Sequence, residues 1–102
     1  MNRKDKGDKA ERARQTYWES KGAVVFPVSP AYPGVDLIVF KKTGVVLLSE
    51  VKGQQAKLYG KTLEDAIRKV FAAKRRLWDA GYVANAELVH VHPDTGKQEV
   101  LT

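Results

Sequence analysis

Apolar positions recur with two different periods along this chain, and the change of period divides it into elements. Ala10, Ala13 and Tyr17 mark one stripe at helical spacing with Trp18 beside it, and Gly22 is a suitable stop. The spacing predicts a helix over 9–21. Residues 23–28 read as a first strand, followed by a loop over 29–34 stiffened by Pro30 and Pro33. Two apolar runs follow, 35–40 and 45–49, joined by Lys41-Lys42-Thr43-Gly44, a polar link suited to a tight hairpin. A polar, basic connector over 53–61 leads to a second helix. Thr62 is its candidate cap, with Asp65 as the capping-box partner. Leu63, Ala66, Ile67, Val70, Phe71, Leu77 and Trp78 form its apolar face, interrupted by Lys74, and Gly81 ends it. Strands over 86–92 and 97–101, with a turn at Pro93-Asp94-Thr95-Gly96, complete the chain. The order of helix, three strands, helix and one or two strands predicts an α/β fold with a mixed central sheet flanked by helices.

Three ionisable residues fall where this pattern calls for apolar ones. Asp36 sits at the start of one run, and the next run ends in Glu50-Val51-Lys52. Apolar strands rarely carry charged groups unless these are paired, bind a metal or take part in chemistry. Side chains alternate along a strand, so Glu50 and Lys52 share a face while Val51 points to the core. A hairpin centred on Thr43 places Asp36 directly opposite Glu50, close enough for two ionised carboxylates to repel strongly. A divalent cation removes that repulsion. Asp36, Glu50, the backbone carbonyl of Val51 and waters make a donor set suited to Mg²⁺, with Mn²⁺ as a substitute. Lys52 is then placed to orient a water or to stabilise charge on a phosphate. A slip of one residue in register turns Asp36 to the other face and undoes the arrangement.

A chain of 102 residues forms a single domain over 1–102, and residues 1–8 read as a flexible basic arm. The absence of cysteine excludes disulfides and thiolate metal sites. No stretch is long and apolar enough for a membrane span or signal core, so the expectation is a soluble, cytoplasmic protein. A net charge of +6 and a pI near 9.7 favour polyanions as partners, chiefly nucleic acid. Together with a carboxylate metal site, that charge points to an enzyme acting on phosphodiesters. His90 and His92 share a strand face, but no third ligand accompanies them, and they are expected at the surface.

The sequence Gly34-Val35-Asp36 followed by Glu50-Val51-Lys52 resembles the PD-(D/E)xK nuclease motif. The stretch from Lys6 through Glu11 to Arg12, followed by Lys21-Gly22-Ala23-Val24-Val25, resembles the opening of archaeal-type Holliday junction resolvases. The resemblance implies a restriction-endonuclease-like core and Mg²⁺ held mainly by Asp36 and Glu50. Glu11 would contribute directly or through water, and Lys52 would be the catalytic lysine. It also implies a homodimer whose paired active sites nick a four-way DNA junction symmetrically, leaving 5′-phosphate and 3′-hydroxyl ends. Lys4, Arg12, Arg14, Lys57, Lys61 and Arg68 would hold the DNA backbone with little base readout. Ser29 would be the loop serine that positions DNA, and Gln54, on the face of Lys52, would support a phosphate or water. The chain departs from the resolvase pattern at Phe26-Pro27-Val28-Ser29, where the family often has an arginine and a serine, and Val35 replaces the proline before the acid. Two alternatives stand beside junction resolution: a flap or nicking nuclease of the same fold, and a DNA-binding module without catalysis. The small size suits a phage or archaeal gene.

Overall fold

A computed structural model describes residues 3–32 and 34–102, without the side chains of 3–6 and 29–31. The elements run α1 (Arg3–Ser20), β1 (Val24–Tyr32), β2 (Val35–Phe40), β3 (Val46–Lys52), α2 (Gly60–Asp79), β4 (Ala84–Val91) and β5 (Gln98–Val100). The five strands form one sheet in the order β1-β2-β3-β4-β5. β1, β2 and β3 are an antiparallel meander, β3 and β4 are parallel, and β5 returns antiparallel to β4. Helix α2 makes the crossover that the parallel pair requires. This mixed central sheet with a helix on each face is the α/β arrangement expected from the order of elements.

Each helix closes one core. Ala10 of α1 packs with Val25, Leu37, Val39, Leu47, Val51, Val89 and Val91. Val70 and Ala73 of α2 pack with Val35, Leu48 and Ala86. Alternation along β3 divides its residues between the two layers, so Leu47 and Val51 face α1 and Leu48 faces α2. Strand β2 breaks this rule once. Val35 joins the α2 core and Leu37 the α1 core, although two residues apart should share a face. The chain therefore twists at Asp36, near the irregularity in the pairing of β1 with β2.

Several boundaries differ from the sequence expectation. Helix α1 begins at Arg3, ahead of the start expected at 9, while Met1 and Asn2 lie outside the described residues. Strand β1 continues beyond 28 through Pro30 to Tyr32, where Pro30 and Pro33 predict a loop. It is an edge strand with only one hydrogen-bonded neighbour, and an edge tolerates the missing proline N–H. Helix α2 begins two residues before Thr62. Its N-cap is Tyr59, which makes no side-chain cap bond, so the Thr62–Asp65 capping box is not its start. Gly81, at φ 94°, follows the end of α2 as expected. No described helix is long and apolar enough to cross a membrane.

Candidate functional site

The β2–β3 hairpin has the register expected from a turn centred on Thr43. Leu37 pairs with Ser49 and Phe40 with Val46, and one further step in the same register sets Asp36 opposite Glu50. Regular pairing stops at Leu37–Ser49. Beyond it the Val51 N–H donates to Asp36 Oδ2 at 2.7 Å. The carboxylate thus takes over a backbone donor at the point where the two strands part, and this anchors Asp36 beside Glu50.

Electrostatics identify the third member of the cluster. Glu50 is only 8 % exposed, and its carboxyl is pushed up from 4.5 to about 8. Burial is the largest cause, followed by hydrogen bonding with Asp36 and its charge, with Lys52 acting in the opposite direction. Glu11 rises from 4.5 to about 7, through burial, then the charge of Asp36 and hydrogen bonding with it. Since α1 starts at Arg3, Glu11 lies well inside the helix, and a helix-dipole role in the first turn does not account for it. Lys52 Nζ stands 3.9 Å from Glu50 Oε2, on the same face of β3. That distance is an ion pair without a hydrogen bond. The structure thus gathers Glu11, Asp36, Glu50 and Lys52 around the end of β3.

Carboxyl groups raised in this way favour the fold when protonated and oppose it when ionised. Their burden on stability is absent below the unfolded-state value near 4.5, grows as pH rises above it and levels off beyond about 7 to 8. Without added metal, thermal stability is therefore expected to fall between about pH 6 and pH 8. Glu50→Gln should reduce that fall, gaining roughly 1–3 kcal/mol at about pH 8. Melting curves across this range, followed by circular dichroism, check the sign. A wild-type melting temperature that rises over the same range would contradict it.

The donor chemistry suits a hard divalent cation, because two close carboxylates retain protons only where no other positive charge is supplied. Among the described residues no group of three or more His, Cys, Asp or Glu side chains is arranged to hold a metal ion. Any cation would therefore draw on Asp36 and Glu50 together with backbone or water oxygens. The Val51 carbonyl remains the candidate backbone donor.

The residues expected to contact DNA fare unevenly. Arg14 is corrected: it is 4 % exposed and committed to an internal network. Its Nε donates to Glu87 Oε2 at 2.9 Å, its Nη2 to Glu87 Oε1 at 2.6 Å and its Nη1 to Gln98 Oε1 at 2.8 Å. Trp18 Nε1 and Ser49 Oγ also donate to Glu87, at 3.1 and 2.7 Å. Burial alone would raise the Glu87 carboxyl, but hydrogen bonds from Arg14, Trp18 and Ser49 outweigh it and hold the carboxyl below its ordinary value. Lys57 is exposed but paired with Glu99, and Arg68 pairs with Asp65 at 2.9 Å on the surface of α2. Arg12 and Lys61 are exposed. The side chains of Lys4 and Ser29 lie outside the described residues.

Sequence reasoning misses Glu87 and misplaces His90 as well as Arg14. Glu87 is an acid inside the apolar run Ala86-Glu87-Leu88-Val89, the same signal that singles out Asp36 and Glu50. Its partner Arg14 lies four residues after Ala10 and four before Trp18, on the apolar stripe of α1. His90 is corrected. It is 3 % exposed rather than at the surface, and its Nε2 is 2.8 Å from the Gln54 carbonyl. His90 pairs with Lys52 in the parallel register, so it ties the connector after β3 to the edge of the site.

Comparison with known proteins gives a likeness of structure alone. No protein-family profile and no curated protein matches the chain. A solved chain titled "VRR_NUC domain" aligns over 81 % of this chain and 83 % of that chain, at 16 % identity and a TM-score of 0.48.

Proposed function

We propose that this protein is a metal-dependent endonuclease acting on branched DNA, with Asp36, Glu50 and Lys52 at its catalytic centre. The observation that carries the proposal is the confinement of Asp36 and Glu50 at the end of β3, with the Glu50 carboxyl raised to about 8 and Lys52 beside it. Strongly raised carboxyls confined beside a lysine, in a domain with a net charge of +6, are the kind of perturbed group that clusters at functional sites. Asp36 and Glu50 are the direct ligands in this reading, with the Val51 carbonyl, and Glu11 acts through water. Bound Mg²⁺ or Mn²⁺ supplies an activated water and neutralises charge on the scissile phosphate. Val51 N–H fixes the orientation of Asp36. Lys52 contributes a positive charge facing the phosphate. Arg12 and Lys61 supply backbone contacts that select shape rather than sequence.

The four-way junction is the first substrate, supported by the resolvase-like stretches at 6–12 and 21–25. A homodimer would present two such centres to a twofold substrate. Its candidate surface is an apolar groove on the α2 side, bordered by Phe40, Leu77 and Tyr82. Labelled four-way junctions, flaps and plain duplexes incubated with Mg²⁺ test the reading. Paired symmetric nicks on the junction are the expected result. Cuts on flaps alone would move the activity to a flap nuclease, and binding without any cut would leave a DNA-binding module.

A further inference from the structure

The geometry points to a stacking subsite for one unpaired nucleotide at Tyr59, on the connector between β3 and α2. This inference rests on the branched-DNA reading and names the feature of the branch that the protein grips.

Tyr59 is 82 % exposed and occupies the N-cap of α2 in extended conformation, with φ −150° and ψ 169°. That position favours Ser, Thr, Asp or Asn, whose side chains bond the free N–H groups of the first turn. Tyrosine makes no such bond here, so the chain gives up a helix cap. Local rules broken without a compensating contact concentrate at functional sites.

The surroundings fit a nucleotide. Residues of the connector from Gln54 to Thr62 line a shallow concavity of about 560 Å³, flanked by Lys57 and Lys61. The first helical turn of α2 carries no acidic residue to repel a phosphate. Aromatic faces beside cations are how proteins hold single-stranded nucleic acid, because every base offers a π-face. The connector is also held in place. The His90 ring bonds the Gln54 carbonyl, Gln55 Nε2 donates to Asp94 Oδ2 at 3.1 Å, and Lys57 pairs with Glu99. Tyr59 lies seven residues after Lys52, no more than roughly 25 Å away along the chain. A base on Tyr59 would lie within a few nucleotides of a phosphate held at Lys52. A flap supplies such a base outright, and a four-way junction supplies one when the pair at its crossover opens.

The test is binding in EDTA, using a flap DNA with 2-aminopurine at the first unpaired position and a plain duplex of equal length. Wild type and Tyr59→Phe are expected to change the 2-aminopurine emission on binding and to prefer the flap. Tyr59→Leu, which keeps apolar bulk without a π-face, should lose the emission change and about tenfold in flap affinity, with duplex affinity unchanged. Equal affinities of wild type and Tyr59→Leu for the flap, or equal losses on flap and duplex, would overturn the subsite. Cleavage of the same DNAs in Mg²⁺ is read separately. A wild type that cuts while Tyr59→Leu is indistinguishable defeats the subsite alone. A wild type that shows the Tyr59-dependent flap preference but never cuts defeats the nuclease reading and leaves the subsite standing.

Discussion

Arg14→Met is expected to destabilise the protein by about 3–5 kcal/mol, lowering its melting temperature by roughly 12–40 °C. The Glu87 carboxylate accepts from Arg14, Trp18 and Ser49 at once, in the interior between α1 and the sheet. Removing the guanidinium leaves a buried anion whose strongest partner is gone, and the desolvation cost of that charge is no longer offset. Glu87→Gln should cost less than Arg14→Met, because an amide still accepts from Trp18 and Ser49. The double variant Arg14→Met with Glu87→Met removes both charges and should recover much of the loss. Thermal melts of the four proteins at neutral pH check the order. An Arg14→Met protein as stable as wild type would show that the network does not hold α1 to the sheet.

The same network bears on the site. Arg14 lies one turn after Glu11 on α1, and Ser49 immediately precedes Glu50 on β3. The bonds from both to Glu87 therefore fix the helix that carries Glu11 against the strand that carries Glu50.

Asp36→Asn and Glu50→Gln are expected to lower Mg²⁺-dependent DNA cleavage by at least roughly 10²–10³-fold while the proteins remain folded. Both substitutions keep the shape of the side chain. The amide that replaces the Asp36 carboxylate can still accept from Val51 N–H, so the strand end is preserved while the charge is lost. Lys52→Met should lower cleavage to a similar degree with little change in DNA affinity, because in the proposed site its charge would face the reacting phosphate rather than the flanking backbone. Glu50→Gln should at the same time stabilise the metal-free protein above neutral pH, since it removes an acid whose ionisation burial and the Asp36 charge oppose. Loss of activity joined to a gain in stability separates a functional acid from a structural one. Losses in both would place Glu50 in the scaffold.

Much of this arrangement is legible in the residues. The period-two runs around Lys41-Lys42-Thr43-Gly44 specify the hairpin register, and the register brings Asp36 to Glu50. The break in alternation between Val35 and Leu37 is not legible, because it arises from the pairing irregularity of β1 and from the packing of two helices on opposite faces. Arg14 reads as a surface cation because charge alone does not reveal a partner that is distant in sequence. Only its place on the Ala10–Trp18 stripe marks it as inward. His90 is hidden for a related reason: its partner is a carbonyl of the connector, which no side-chain pattern encodes. The second half of β1 reads as a loop because its position at the sheet edge, where prolines are tolerated, is a property of topology.

The most direct test of the proposed metal centre is anomalous diffraction from crystals grown with Mn²⁺. A peak bounded by the carboxylates of Asp36 and Glu50, absent from crystals of the Asp36→Asn protein, is the expected result. A peak at His90 and His92 instead, or none near the end of β3, would contradict the account.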